Sequence, residues 1–280
     1  MVQGANISLQ FFSSGYCEAH ARIADPINGK GKTRFHAVWA LLYFPTLGYV
    51  LFDTGYNIQF QIATQGFPAR FYRWATPVTI NKNDTALSIL ASHGIKPEQI
   101  NYVIISHFHA DHICGLKDFP NAKFICTKAA YEQVSDHRGF AALRRGILHG
   151  LIPTDLENRI LFVEEIADYI YIDNFGLKTF KMFGTEEFRL ILLPGHARGM
   201  LGFTYETTEK SIMYATDGSW SYDTFQKRIL PNRIVKLFFD SWSEYCQTQK
   251  KLLDFESKNT NYEVLFTHCP RTLNHISNAI

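Results

Sequence analysis

The chain has 280 residues, 46% of them hydrophobic and 15% aromatic, which is enough for one large domain or two small ones. The 28 basic and 26 acidic residues leave a net charge of +2 without any long basic run, which argues against nucleic acid or an anionic membrane as a partner. No stretch reaches the ~18 apolar residues of a membrane span, and the start lacks the pattern of a secretory signal.

Apolar runs predict strands in the first third of the chain. Residues 37–44 form a continuous apolar run, residues 45–48 offer turn chemistry, and residues 49–52 resume the strand. Such near-continuous hydrophobicity predicts strands that are covered on both faces. A helix is expected next, with Asp84 as its N-cap and Gly94 as its stop signal.

Four later strands are each expected to end beside a polar residue that can bind metal. They are residues 102–105 before His107, 188–193 before His196, 211–215 before Asp217, and 263–266 before His268. Loops at strand ends are where rigid scaffolds usually hold reactive side chains. Between the last two strands, the capping-box spacing of Ser241 and Glu244 predicts the start of a helix.

The densest chemical signal is the segment His107-Phe108-His109-Ala110-Asp111-His112, which holds four potential ligands in six residues. Imidazole and carboxylate together suit Zn, and also Fe or Mn. His107 and His109 can clamp one ion from an extended loop, while Asp111 and His112 can turn toward a second ion. A solvated polar loop is the alternative, but the further candidates at strand ends favour a metal site.

This motif, followed by isolated His196, Asp217 and His268, resembles the metallo-β-lactamase-fold hydrolase superfamily. The resemblance covers nearly the whole chain and implies an α/β (α+β) fold, a four-layer αββα sandwich of two mixed sheets with helices outside. A single domain over residues 1–280 is expected, with a helical insertion around residues 128–153 that packs in the core or covers the substrate.

The resemblance also implies which residues would bind two divalent ions, most naturally Zn, with Fe and Mn as alternatives. His107, His109 and His196 match the ligands of the first ion, Asp111, His112 and His268 match those of the second, and Asp217 matches the residue that bridges both. Asp53 matches a position that orients a ligand, although it could equally be a turn aspartate.

A metal-dependent hydrolase follows from this ligand set. A hydroxide that bridges two ions would attack a carbonyl and open a lactone or cleave an ester-type bond. Asp111 is expected to be catalytic as well, since it can accept the nucleophile's proton.

The nearest subfamily in pattern is the lactonases, including those that act on N-acyl homoserine lactones. They generally carry a tyrosine three residues after the bridging aspartate, aimed at the substrate carbonyl, where this chain has Trp220. Tyr222 is therefore the candidate hydrogen-bond donor, although both aromatic residues could instead belong to the core. An aromatic-rich loop could wall an apolar pocket, with Phe67, Phe71, Tyr72 and Trp74 as its members.

Other functions are weighed against this one. A glyoxalase-II-like thioesterase would need a C-terminal glutathione-binding domain, which is not recognisable after His268. A persulfide-dioxygenase-like oxidoreductase would keep a single iron, and a metal-binding protein without turnover would not need an open site. The expected partner is a small-molecule substrate, with neither nucleic acid nor membrane, and a homodimer is left open. Five cysteines without a CxxC pair favour a reducing cytoplasm.

Overall fold

The computed structural model describes residues 7–208 and 211–276. Strands of the first sheet lie in the order β4-β1-β2-β3-β5-β6-β7. In chain order they are β1 (Ser8–His20), β2 (Lys32–Phe44), β3 (Gly48–Phe52), β4 (Val78–Thr79), β5 (Ile100–Ile104), β6 (Lys123–Cys126) and β7 (Ile160–Phe162). The sheet is mixed because β4, β1, β2 and β3 pair antiparallel, whereas β3, β5, β6 and β7 run parallel.

The second sheet has the order β13-β12-β11-β10-β9-β8. Its strands are β8 (Tyr169–Ile172), β9 (Lys178–Lys181), β10 (Phe188–Leu192), β11 (Leu201–Glu206), β12 (Ser211–Tyr214) and β13 (Tyr262–Leu265). Neighbours are antiparallel except β12 and β13, which are parallel. The two parallel strands therefore end at the same edge, and that edge carries Asp217 and His268.

Helices cover the outer faces of both sheets, which gives the predicted αββα sandwich. They are α1 (Gln59–Ala63), α2 (Ala69–Ala75), α3 (Ala86–Ser92), α4 (Ala110–Ile113), α5 (Lys128–Asp136), α6 (Gly139–Arg144), α7 (Leu156–Arg159), α8 (Val163–Ile166), α9 (Tyr222–Gln226), α10 (Trp242–Lys258) and α11 (Pro270–Leu273). Among the described residues, no helix has both the length and the apolar character required to cross a bilayer.

The core is built by the two-residue alternation of the strands. On β2, Val38, Ala40 and Leu42 face the second sheet and pack among residues such as Phe203 and Tyr214. The alternate residues Ala37, Trp39 and Leu41 point to the other face, where they meet helix residues such as Leu90 and Ile113. The predicted burial on both faces is confirmed for this strand, because residues 37–42 are all buried.

Two of the predicted helix starts have different outcomes. Thr85, rather than Asp84, caps α3 by accepting a hydrogen bond from the Ser88 amide at 3.2 Å, so the prediction for Asp84 is wrong by one residue. Asp84 ends a short 3₁₀ turn instead. The predicted cap of α10 is confirmed, since the Ser241 hydroxyl accepts from the Glu244 amide at 3.3 Å. The segment expected to be helical around residues 128–153 contains α5 and α6.

Replacing Ser241 by Ala should lower the free energy of unfolding by about 1 kcal/mol, because the first turn of α10 loses its side-chain cap. Ser243 is exposed in the first turn of the same helix, so Ser243→Ala is the matched control and should change stability by less than about 0.5 kcal/mol. Chemical denaturation of both variants measures the difference. Equal losses would show that the cap contributes nothing specific.

Candidate metal centre

The predicted ligands lie in segments that follow strand ends, and both sheets contribute. His107 follows β5 of the first sheet, whereas His196, Asp217 and His268 follow β10, β12 and β13 of the second. His109 precedes the short helix α4, which carries Asp111 and His112. The loops at one edge of the sandwich therefore bring together side chains that are far apart in sequence.

The seven side chains form two groups, in each of which the potential ligand atoms lie within 4.8 Å of one another. The first group contains His107, His109, His196 and Asp217, and the second contains Asp111, His112, Asp217 and His268. Asp217 belongs to both groups. Its Oδ2 lies 3.2 Å from His196 Nε2 and 3.1 Å from His268 Nε2, and its Oδ1 lies 3.6 Å from His112 Nε2.

Burial of these groups supports a cation at the centre. His107 and His112 are fully buried, yet the Nε2 atoms of both rings have no hydrogen-bond partner among the described residues. The same is true of Asp217 Oδ1 and His196 Nδ1. A buried polar atom without a partner costs about 1–3 kcal/mol, and several in one cluster are hard to reconcile with a structural role alone. Imidazole and carboxylate donors in this arrangement fit a divalent transition metal.

The Asp53 carboxylate contacts Ser106 and His112 and so fixes the segment after β5 that carries the ligands. Its carboxylate accepts hydrogen bonds from the Ser106 amide at 2.8 Å and the Ser106 hydroxyl at 2.7 Å, and its Oδ2 lies 2.7 Å from His112 Nδ1. When His112 gives up one proton to bind a metal, the carboxylate keeps the remaining proton on Nδ1, and Nε2 is the free ligand atom. Asp53 was predicted either to orient a ligand or to be a turn aspartate, and these contacts favour the orienting role.

The pKa values of His107 and His109 shift in the opposite direction from that of His112. Burial, reinforced by neighbouring imidazoles, holds the pKa values of His107 and His109 well below the usual range, so both rings are neutral and able to ligate. Burial also lowers the pKa of His112, but the carboxylates of Asp111 and Asp53 outweigh it and the pKa lies well above its usual value. The second group thus favours positive charge, which a divalent ion would supply.

The residue before His196, Gly195, must be a glycine for steric reasons. Gly195 has φ of 124°, in the region that side chains rarely adopt, and a Cβ at this position would collide with the backbone of Tyr245 in α10. The Ser241 amide donates to the Gly195 carbonyl at 3.0 Å. The start of α10 therefore packs directly against the loop that carries His196.

A cleft of about 580 Å³ opens over the metal groups. His109, Asp111, His196, Asp217 and His268 lie at its floor. Its walls are mostly apolar and include Phe35, Phe71, Phe140, Leu143, Trp220, Ile234, Phe238 and Phe239. The cleft can thus hold a molecule with an apolar portion next to the polar floor.

Trp220 and Tyr222 line different clefts of the protein. Trp220 forms a wall of the cleft, with ring centroids 5.7 Å from Phe35, 5.6 Å from Phe239 and 6.0 Å from His196. Tyr222 lines a separate polar cleft, and its hydroxyl donates to Glu256 Oε1 at 2.7 Å. The prediction that Tyr222 faces the metals is therefore wrong. Tyr222 begins α9, whose turn directs the ring toward α10.

Two tyrosines that the sequence analysis did not assign to catalysis line the metal cleft. Tyr56 is 1% exposed and Tyr72 is half-buried. Burial raises the pKa values of both phenols well above 10, and the negative charge of Asp111 raises them further. Both hydroxyls stay protonated at neutral pH and can donate. The missed signal is the position of Tyr56, directly after Asp53-Thr54-Gly55 at the end of β3.

Cys17 also lines the cleft. Burial, followed by the charge of Asp111, raises the pKa of its thiol to about 12. The thiol is therefore protonated at neutral pH, and it is not an activated nucleophile.

Known proteins share both the sequence pattern and the fold. Residues 33–226 match the family described as the metallo-beta-lactamase superfamily. An N-acyl homoserine lactonase from Bacillus cereus is 25% identical over 222 residues, which cover 79% of each chain. The N-acyl homoserine lactonase AttM from Rhizobium johnstonii is 24% identical over 227 residues, covering 80% of this chain and 78% of the relative.

Solved structures agree on the fold. An N-acyl homoserine lactone hydrolase with N-hexanoyl-L-homoserine bound at its metal centre superposes with a TM-score of 0.73 at 19% identity, covering 96% of each chain. AidC, described as a dizinc quorum-quenching lactonase, has a TM-score of 0.64 at 16% identity and covers 96% of this chain and 89% of its own. The chain belongs to the metallo-β-lactamase superfamily and is a metal-dependent hydrolase.

Replacing Asp53 by Asn should weaken metal binding by ~10–100-fold, because the proton on His112 Nδ1 loses its charged acceptor. Asn tolerates the backbone here, where φ is 61°, so the variant tests the charge rather than the turn. Titration with Zn²⁺ against a competing chelator measures the affinity.

Asp173→Asn is the matched control, since Asp173 accepts hydrogen bonds from backbone amides in a turn remote from the cleft. Its metal affinity should stay unchanged. An Asp53→Asn variant with unaltered affinity would rule out the orienting role of Asp53.

Proposed function

We propose that this protein is a lactonase that binds two metal ions and hydrolyses lactones with an apolar acyl substituent, N-acyl homoserine lactones being the leading class. The observation that carries the proposal is the paired ligand groups at the floor of an apolar cleft. Relatives that cover about four fifths of the chain carry the name N-acyl homoserine lactonase, which supports the same substrate class.

In this proposal His107, His109 and His196 hold one ion, Asp111, His112 and His268 hold the other, and Asp217 serves both. Zn is favoured because histidine and carboxylate ligands suit it and a structural neighbour is described as dizinc. When bound, two such ions acidify water at the floor of the cleft and polarise the substrate carbonyl. The second group also weighs against a mononuclear-iron oxidoreductase, which would need only the first.

Asp111 is the proposed proton carrier. It lines the cleft, and its Oδ2 lies 3.4 Å from His268 Nε2 and 3.6 Å from His112 Nε2. A carboxylate at this position can take the proton of the attacking water and deliver it to the oxygen of the opened ring. Asp217 is less suited, because it lies among three imidazoles, closer to His196 and His268 than Asp111 is to its neighbours.

Tyr56 is the proposed hydrogen-bond donor to the carbonyl oxygen. Tyr222 is excluded by its position, and Trp220 is held against Phe35 and Phe239 as a wall. Tyr56 lines the same cleft as Asp111, and burial keeps its hydroxyl protonated, so it can donate to a substrate held there. A donor aimed at a developing negative charge typically contributes ~10²–10³-fold to turnover.

Purified without chelator, the protein should contain about two transition-metal ions per chain and open N-acyl homoserine lactones faster than thioesters or phosphotriesters. Within the lactone series, kcat/KM should rise by up to about fourfold for each methylene added to the acyl chain while the chain still finds apolar wall. Elemental analysis and a pH-stat assay measure these values.

Asp111→Asn serves as the control that ties turnover to this site, and it should lower kcat by ~10²-fold or more. Near wild-type turnover in a variant that keeps its metals would show that the proposed role of Asp111 is wrong. A metal content fixed near one, or a preference for thioesters, would contradict the proposed function.

Tyr56→Phe should lower kcat on the best lactone by ~10²-fold, because the substitution removes only the hydroxyl. Tyr72→Phe is the matched control from the same cleft and should lower kcat by far less, since Tyr72 is a half-buried wall residue. Steady-state kinetics with metal content and melting temperature measured in parallel distinguish the two. A large fall in Tyr72→Phe with little change in Tyr56→Phe would assign the donor to Tyr72.

A further inference from the structure

Three segments frame the mouth of the metal cleft: residues 59–76, 137–151 and 229–239, which together are called the cleft rim. All three contribute to the cleft wall, for example through Phe71, Phe140 and Phe238. They also contact one another, because the Phe67 and Phe140 rings lie 5.5 Å apart and Arg144 Nε donates to the Leu237 carbonyl at 2.7 Å. The cleft rim is therefore one continuous surface.

Exposed apolar side chains are concentrated on the cleft rim. Of the fourteen large hydrophobic residues that are exposed in the described part of the chain, nine belong to it: Ile62, Phe67, Phe71, Trp74, Phe140, Leu230, Ile234, Leu237 and Phe238. Trp74 is 82% and Phe67 is 74% exposed, and neither lines the cleft. Exposed apolar clusters of this kind mark a surface that contacts something other than water.

The charged residues of the cleft rim are all basic. It contains none of the 26 acidic residues of the chain but seven basic ones: Arg70, Arg73, Arg138, Arg144, Arg145, Arg233 and Lys236. Asp240, just after the third segment, lies 3.8 Å from Arg145. Glu18, which also lines the cleft, is shared between Lys32 and Arg34. The rim thus stays positive although the whole chain is nearly neutral.

From this combination we propose that the cleft rim binds the surface of an anionic phospholipid bilayer, with the metal cleft facing the membrane. Exposed Trp and Phe flanked by Arg is the composition of surfaces that insert into the interfacial region of a bilayer. Basic side chains near an anionic surface each add about fivefold to partitioning. This inference concerns a surface and does not depend on which bond the enzyme cleaves.

A second copy of the chain is the less favourable occupant. A two-fold dimer through the cleft rim would bring the same basic patch of both copies together, and like charges at an interface oppose association. An anionic bilayer instead offers the opposite charge together with an apolar layer that accepts Trp74 and Phe67. No membrane partner was predicted from the sequence, because the chain has no long basic run. In the folded protein, three separated segments together form the basic patch.

Co-sedimentation with sucrose-loaded vesicles tests the proposal with the metal-loaded protein. Vesicles of phosphatidylcholine with one quarter phosphatidylglycerol should bind the protein at least about tenfold more strongly than pure phosphatidylcholine vesicles. Binding should weaken as salt is raised from 0.05 to about 0.5 M, because screening shortens the reach of the basic residues. Equal partitioning to both vesicle types, or none to either, would overturn the proposal.

Two pairs of variants with matched controls separate the apolar and charged contributions. Phe67→Ser/Trp74→Ser and Arg70→Gln/Arg73→Gln should each lower binding to the anionic vesicles by about tenfold or more. Tyr169→Ser/Ile172→Ser on β8, where both residues are exposed, and Lys123→Gln/Lys250→Gln should leave binding unchanged. Hydrolysis of a short-chain, soluble substrate should be the same in all four variants.

The remaining outcomes also decide the proposal. Equal losses in the control variants would show unspecific adsorption and overturn it. If sedimentation without lipid gives a dimer mass that the Phe67→Ser/Trp74→Ser variant reduces to a monomer, a second copy occupies the rim and the bilayer proposal fails. Loss of lactone hydrolysis with intact vesicle binding would instead contradict only the proposed function.

Discussion

The buried carboxylate of Asp53 is the contact on which the geometry of the candidate site depends most. Asp53 lies just after β3 with a φ of 61°, and its backbone amide donates to the Ile104 carbonyl. Its carboxylate therefore points under the neighbouring loop after β5. There it accepts from Ser106 and faces His112. One side chain thus fixes both the direction in which the chain leaves β5 and the nitrogen that His112 presents to the centre.

The fold buries the other polar groups of the centre, so their charge and their lost contact with water must be compensated. Strand ends from two packed sheets converge on a buried edge, where imidazole nitrogens and a carboxylate oxygen remain without hydrogen-bond partners in the described structure. Burial keeps His107 and His109 neutral, while the carboxylates beside His112 favour positive charge. Divalent metal binding would satisfy both requirements, and this is why the site is better understood as a binding centre than as a packed core.

The aromatic residues near the centre differ in role because they occupy different positions. Trp220 is fixed as a wall by Phe35 and Phe239, Tyr222 turns away toward Glu256, and Tyr56 reaches the cleft from the loop after β3. Further out, the cleft rim exposes five aromatic and five basic side chains: Phe67, Phe71, Trp74, Phe140, Phe238, Arg70, Arg73, Arg138, Arg144 and Arg233. The same opening therefore combines a polar floor, an apolar wall and a basic, apolar surface, which together suit amphiphilic substrates.

Apolar runs in the sequence by themselves predicted buried strands that end beside possible metal ligands. The resemblance carried by residues 107–112, His196, Asp217 and His268 then predicted the αββα fold and the seven side chains that gather at the site. Local spacing also predicted the cap of α10 correctly. It could not determine which side of a short helix Tyr222 would occupy, that Tyr56 would reach the cleft, or that three separated segments would form one basic patch. Those outcomes depend on how distant elements pack, and only the tertiary structure decides which distant side chains become neighbours.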